Sequence, residues 1–279
     1  MKNEKIFDSW GEKIYVGSYN DFMSIDQSIL SEIVIQRNLV VIKGLPSDLE
    51  DEEFYALGNK FGQVWKQEDY KKTFITRGVD PTINKISATP VSYFKTNNNM
   101  FKDTYMDYHA DMAHIKDMSY PGRALYMVNT TEDNSGDTTW LNLELGWQQM
   151  SLEEQDVYAD CEVVFQDFYI PGSRMEKFPF TKINPKTGKV SPRINCYASN
   201  SSRQAWISHA VKGGVKLTFD QTGALIRKLY QLLESKQDTL YSHVWTPGDI
   251  IVYDNWFNVH KREKVNGKRL LKRLTFNFL

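Results

Sequence analysis

Residues 245–263 read WTPGDIIVYDNWFNVHKRE, and the reading of this stretch decides the fold. Pro247-Gly248-Asp249 is a tight-turn signal. The apolar run Ile250–Tyr253 that follows is too short for a helix and has the look of a buried strand. Asp254-Asn255 then opens a loop that delivers His260. A short strand between a turn and a ligand-type side chain is what a β-sandwich or barrel with a site in its mouth requires.

Outward from this stretch the same grammar repeats. Strands are expected at Leu39–Gly44, Lys85–Thr89, Ala124–Asn129, Asp137–Leu141, Glu162–Gln166, Val190–Cys196, Ser242–Trp245 and Leu274–Phe278. Asp133-Asn134-Ser135-Gly136 marks a turn between two of them. Helical spacing of apolar residues predicts helices over Ser24–Gln36, Asp51–Phe61 and Thr222–Ser235. Asn142–Met150 also reads as a helix, as does Ser151–Asp160, where Ser151 and Glu154 form a capping box. The segment Asp167–Lys189 carries Pro171-Gly172, Pro179 and Pro185 and reads as a loop, a candidate lid. No repeat or linker interrupts the chain. The expected fold is mainly β with peripheral helices, a double-stranded β-helix of the jelly-roll or cupin-like kind, in a single domain over residues 1–279.

Composition narrows the function. The 34 Lys and Arg residues nearly balance 35 Asp and Glu, for a net charge of −1, so no bulk field draws the chain to nucleic acid or to anionic lipid. The expected partner is a small-molecule substrate; homo-oligomerisation is left open, because no coiled coil or apolar stripe is readable. The two cysteines, Cys161 and Cys196, have no metal-type spacing and are expected to be reduced and structural. No apolar run reaches membrane-spanning length and the first residues have no apolar signal core, so a cytoplasmic location is expected.

Three features carry chemistry. His109-Ala110-Asp111, within YMDYHADMAH, places two ligand types at i and i+2, which share a face on an extended strand. Alone, it reads first as a surface imidazole paired with a carboxylate. His260 supplies a second imidazole, and two His with one carboxylate form the facial triad of non-haem iron(II), with open positions for a chelating oxo-acid and O2. Zinc catalysis ordinarily asks for a third His, a Cys or a His-Glu-x-x-His helix, and none is evident. The third feature is KRLLKRLTF at Lys268–Phe276: a guanidinium fork there, Arg269 above all, suits a buried carboxylate, whereas Lys268 and Lys272 read as solvated charges. Of the other histidines, His114 reads as a neighbour of the site or a surface residue, His243 as core or rim, and His209, with Arg203, as part of a substrate lid or of a solvated loop.

The order YHADM, GDTTW at Gly136–Trp140, PFTKINPKTGKV at Pro179–Val190, PGDIIVYDNWFNVH and KRLLKRLTF resembles the taurine dioxygenase-like (TauD/TfdA) family of Fe(II)/2-oxoglutarate oxygenases. The resemblance implies Fe(II) held by His109, Asp111 and His260, 2-oxoglutarate and O2 as co-substrates, and Thr138 with Arg269 on the distal carboxylate. It implies a substrate-side role for Arg273. Two positions that bind substrate in true taurine dioxygenases, a histidine and an asparagine, are matched here by Gln67 and Tyr105. These two are candidate substrate contacts that turn the expectation away from taurine. An aspartate ligand also argues against halogenation, for which related enzymes carry a small residue at that position. The implied activity is hydroxylation of a C–H bond of a small polar metabolite, with succinate and CO2 as co-products; desaturation or fragmentation at the same site, and a non-catalytic cupin-like ligand-binding protein, are the alternatives.

Overall fold

The computed structural model describes residues 2–66, 68–69, 92–95 (backbone only), 105–111, 121–166, 175–185, 187–195 and 207–278. The chain begins with β1 (Lys2–Lys5) and β2 (Glu12–Tyr15), an antiparallel hairpin, then α1 (Tyr19–Met23), α2 (Gln27–Arg37) and β3 (Leu39–Lys43). α3 (Asp51–Asn59) leads into β4 (Gly62–Val64). β5 (Ser92–Lys95), β6 (Met106–His109), β7 (Pro121–Asn129) and β8 (Thr138–Asn142) come next, then α4 (Leu143–Gln148) and α5 (Leu152–Asp156). A further group of strands is β9 (Cys161–Phe165), β10 (Glu176–Pro179), β11 (Thr181–Ile183), β12 (Val190–Pro192), β13 (Ile207–Lys212) and β14 (Val215–Lys216). α6 (Phe219–Glu234) precedes β15 (Leu240–His243), β16 (Ile250–Asp254), β17 (Asn258–Arg262) and β18 (Leu270–Phe278).

Two sheets face each other. The larger has the order β1-β2-β3-β16-β7-β18-β4, with β5 also on β18; the smaller has the order β15-β8-β17-β6. Residues of the large sheet alternate between two cores, as a period of two demands. Val40, Ile42, Ala124, Tyr126, Ile250, Val252, Leu274 and Phe276 pack outward on Leu30 and Val34 of α2 and on Phe54 and Leu57 of α3. Leu39, Val41, Leu125, Met127, Ile251, Tyr253 and Leu271 turn inward to Trp140 and Trp245. Burial on both faces explains why LVVIK and IIVYD are unbroken apolar runs, each such side chain contributing about 1.5–3 kcal/mol. The outer face of the small sheet, through Tyr108, Leu141 and Val259, packs on Ile226, Leu229 and Leu233 of α6 and on β9. β9 belongs to a third sheet, β10-β9-β13-β14, and β11 pairs with β12. This is the expected double-stranded β-helix with helices at its periphery.

Boundaries moved where side-chain chemistry overrode periodicity. α2 starts after Asp26, whose carboxylate accepts the Ser28 N–H, and ends at Asn38 in the left-handed region, φ 60°, which lets the chain turn straight into β3. α6 starts at Phe219 because Thr218 and Gln221 form a capping box. β18 begins at Leu270, four residues earlier than expected. Lys272 is accordingly buried rather than solvated: its Nζ donates to Leu49 O at 2.7 Å and pairs with Asp51 at 2.9 Å. β15 covers Leu240–His243 instead of Ser242–Trp245, since Thr246 N–H and Oγ1–H turn onto Asp249 Oδ2 and end the strand. The described part of 167–189 is not loop but holds β10 and β11, paired to β9 and β12. His209 lies on β13 rather than in a loop. Cys161 is a buried free thiol. The strand expected at Lys85–Thr89 and residues Gln67, His114, Cys196 and Arg203 lie outside the described residues. Among the described residues no helix is long and apolar enough to cross a membrane.

Asp254, at the end of β16, accepts N–H bonds from Trp256 and Phe257 at 2.7 and 3.2 Å and so shapes the turn into β17. Burial pushes its carboxyl up to about 6 despite those donors. A raised carboxyl binds its proton more tightly in the folded state, so its stabilising effect is full below the unfolded value near 3.9 and is lost as pH rises through about 6. Asp254→Asn keeps the acceptor and removes the titration. Measured by urea unfolding, wild type is expected to gain about 2 kcal/mol relative to the variant between pH 7.5 and 4; a pH-independent difference would contradict the assignment.

Candidate metal centre

The inward face of the small sheet carries the histidines. β17 pairs with β8 in the register His260↔Trp140 and Arg262↔Thr138, and with β6 through His260↔His109. Directly opposed residues share a face, and the two imidazoles stand with ring centroids 4.2 Å apart. One extra residue on β6 makes a bulge before His109, where Met106 rather than Asp107 opposes Arg262. His260 therefore sits in a strand, not in a loop, and its ring is held by Trp140 at 6.2 Å and Tyr253 at 5.3 Å. His109 Nδ1 lies 2.8 Å from Asp107 O. A carbonyl only accepts, so Nδ1 carries the proton and Nε2 keeps its lone pair. His260 Nδ1 is buried without a hydrogen-bond partner among the described residues.

Asp111 lies just past the end of β6, in a turn, so the strand alternation read from the sequence does not place it. Its backbone is clamped instead: Asn255 Oδ1 accepts the Asp111 N–H at 3.1 Å and Asn255 Nδ2 donates to Asp111 O at 2.8 Å. Asn195 Nδ2 holds Ala110 O at 2.8 Å. The carboxylate reaches across to the large sheet. Arg273 Nη1 donates to Asp111 Oδ2 at 2.9 Å, and Arg123 Nε stands 3.2 Å from the same oxygen. As the side chains stand, no three His, Cys, Asp or Glu side chains among the described residues are gathered at metal-binding distance. The donor types and the imidazole pair nevertheless fit a two-His, one-carboxylate ion site, with Asp111 shared between that site and the arginines.

Charge in this cluster is set by burial and by the arginines. Burial alone would raise the Asp111 carboxyl, but Arg273 and then Arg123 hold it well below the usual carboxylate range. Burial keeps both imidazoles neutral, and His109 adds to the effect on His260. Neutral imidazoles and an ionised carboxylate are the protonation states that metal ligation needs.

Beside the imidazoles lies a second polar corner. Arg269 Nη1 donates to Gly136 O at 2.7 Å. Gly136 has φ +93°, and a Cβ there would meet Val265 Cγ2 at 2.6 Å and Arg269 Nη1 at 2.8 Å, so this glycine lets the guanidinium close on the strand that carries Thr138. Burial, and next the charge of Arg262, lowers the Arg269 pKa. Thr138 is buried, and its Oγ1 accepts the Trp245 Nε1–H at 3.0 Å. The Tyr105 hydroxyl donates to Asp107 Oδ1 at 3.4 Å.

Sequence reading missed Arg123, Asn255, Asn195 and Trp245. Arg123 had a signal: in PGRALYMVN it falls in phase with Leu125 and Met127, and a charge on the inward face of a buried strand demands a partner. The asparagines and Trp245 had none, because their partners are distant in sequence.

The chain matches the taurine catabolism dioxygenase TauD, TfdA family over residues 3–275. No curated protein matches it. Among solved structures, a taurine dioxygenase from Burkholderia xenovorans is similar at 17% identity, covering 100% of this chain and 91% of that one, with a TM-score of 0.69. PvcB, described as an Fe, alpha-ketoglutarate dependent oxygenase from an isonitrile synthetic pathway, is similar at 15% identity over 99% and 91% of the two chains, with a TM-score of 0.71. AAD-2, in complex with Mn(II) and N-oxalylglycine, is similar at 10% identity over 100% and 97%, with a TM-score of 0.71. At these identities the likeness to solved structures speaks for the fold, and the family match speaks for the chemistry. The chain belongs to the TauD/TfdA family and is a non-haem iron dioxygenase that uses 2-oxoglutarate and O2.

Proposed function

We propose that this enzyme hydroxylates a C–H bond of a small polar metabolite that carries an anionic group, an amino-acid, carboxylate, sulfonate or phosphonate derivative. The observation that carries the reading is the buried imidazole pair, His109 and His260, with centroids 4.2 Å apart beside an Asp111 carboxylate held by two guanidiniums. His109, His260 and Asp111 would hold the iron. With 2-oxoglutarate and O2, that iron supplies the oxidising power for C–H cleavage, 2-oxoglutarate leaving as succinate and CO2. Thr138 and Arg269 would receive the distal carboxylate of 2-oxoglutarate.

The remaining work of the chain is orientation and charge. Arg262 and Arg273 act on His109, Arg273 and Arg123 on His260, and Arg262 on Arg269, so positive charge is gathered around the imidazole pair. Such a field favours two anionic ligands, the oxo-acid and the substrate. Arg273 is partly exposed whereas Arg123 is fully buried, so Arg273 is the one placed to meet an incoming anion. The Tyr105 hydroxyl, on Asp107, and the departure at Gln67 support a substrate other than taurine.

The test loads the protein anaerobically with Fe(II) and 2-oxoglutarate, adds a pool of anionic small metabolites, and admits O2. Succinate is expected to rise with the pool, and mass spectrometry is expected to find one metabolite heavier by one oxygen. A product lighter by two hydrogens, or cleaved, would replace hydroxylation by desaturation or fragmentation. Tight ligand binding with no succinate would leave only a cupin-like binding protein and overturn the reading.

A further inference from the structure

A threonine hydroxyl offers one donor and two acceptor lone pairs, whereas a carboxylate only accepts. Thr138 can serve a carboxylate only if its hydroxyl hydrogen is directed at that ligand rather than spent inside the protein. Trp245 bears on this choice. Its indole Nε1–H, a donor with no acceptor capacity, lies 3.0 Å from Thr138 Oγ1, and both residues are buried. The bond therefore consumes a lone pair of the threonine oxygen and leaves its O–H to donate elsewhere; no bond in which that hydroxyl donates is present among the described residues.

The indole is itself held in place. His243 meets it edge-on, with centroids 4.8 Å apart at 84°, and Trp140 packs at 6.3 Å. Burial lowers the His243 pKa and favours the neutral ring; Nε2, 2.9 Å from Asp249 Oδ2, then carries its one proton, and Nδ1 accepts the Tyr241 hydroxyl at 2.9 Å. Asp249 Oδ2 also takes Lys43 Nζ at 2.6 Å. Every polarity in this network is determined, from Lys43 on β3 through Asp249 and His243, and the ring of His243 in turn braces the indole that faces Thr138.

We propose that Trp245 is a positioning residue that presets Thr138 as a hydrogen-bond donor to an acceptor-only ligand group, the distal carboxylate of 2-oxoglutarate. The inference rests on the seat proposed above for that carboxylate. Trp245 touches neither iron nor substrate in this role; it acts through the threonine.

Calorimetric titration of the Mn(II)-loaded protein with 2-oxoglutarate, without O2, tests it. Trp245→Phe is expected to raise the Kd for 2-oxoglutarate about 5-fold, the weight of one neutral hydrogen bond, and to leave the Mn(II) Kd within about 2-fold. Thr138→Val is expected to weaken 2-oxoglutarate at least as much, and the double variant to bind no worse than Thr138→Val alone. If Trp245→Phe is too unstable to measure, benzothienylalanine at position 245, which keeps the bicyclic shape without the N–H, is expected to give the same shift. Unchanged 2-oxoglutarate binding in the N–H-less variants, or additive losses in the double variant, overturns the role of Trp245 while the seat stands. Unchanged binding in Thr138→Val overturns the seat, and this inference with it.

Discussion

His260→Ala is expected to lower Mn(II) or Fe(II) affinity by more than about 100-fold and to take O2-dependent succinate formation to background. Loss of a group that merely supports a metal ligand costs roughly 10–100-fold, so loss of a ligand should exceed that range. His260 has little else to do in this fold. Its Nδ1 makes no hydrogen bond among the described residues, and its ring meets those of His109, Trp140 and Tyr253. The variant should therefore stay folded, which far-UV circular dichroism and the melting temperature check. His109→Ala should behave alike for metal, with a larger loss of stability, because it also removes the bond to Asp107 O. A His260→Ala protein that binds Mn(II) within about 10-fold of wild type would remove His260 from the ligand set.

Arg123→Met is expected to destabilise the protein by about 3 kcal/mol, at the lower end of the cost of breaking a buried ion pair, since Asp111 keeps Arg273. Arg123 is among the largest fully buried side chains, and it is tied both to Asp111 and, through Nη1, to Thr275 Oγ1 on β18. Methionine fills much of the volume and supplies no charge, leaving the carboxylate half compensated in an apolar surround. Arg273→Met should cost less than half as much, because that side chain is 21% exposed and water can replace part of its contact. Urea unfolding of the two variants at neutral pH measures the contrast. Equal destabilisation by the two substitutions would mean that the deeper burial of Arg123 does not set the cost of losing it.

The parts of the fold that were legible in advance are those governed by local pattern. LVVIK and IIVYD announce strands buried on both faces, and Ser151 with Glu154, like Asp51–Asn59 with its acidic first turn, announces helices by capping chemistry. The misreadings share a cause. Lys272 looked like a solvated charge because nothing nearby in sequence shows that it reaches Leu49 and Asp51 across the sheet. His260 looked like a loop residue because Asn255-Trp256-Phe257 breaks the apolar alternation. In the structure Asp254 turns the chain within those residues and β17 has already begun at Asn258.

For the site, the sequence by itself determined the residue types and their order: two imidazoles, one carboxylate, a threonine after a glycine turn, and two arginines at the end. Chemistry of that kind is carried by residue identity and survives without coordinates. The tertiary structure alone decided which groups hold these residues in place. Arg273 meets Asp111 from 162 residues away, Asn255 from 144, and Trp245 meets Thr138 from 107. The two contacts to Asp111 exist because closing two sheets face to face brings β8, β17 and β6 over β16, β7 and β18, and the Trp245 contact exists because β15 pairs with β8 in the small sheet. Burial then makes each polar contact obligatory, since an unpaired group inside costs more than the contact gains.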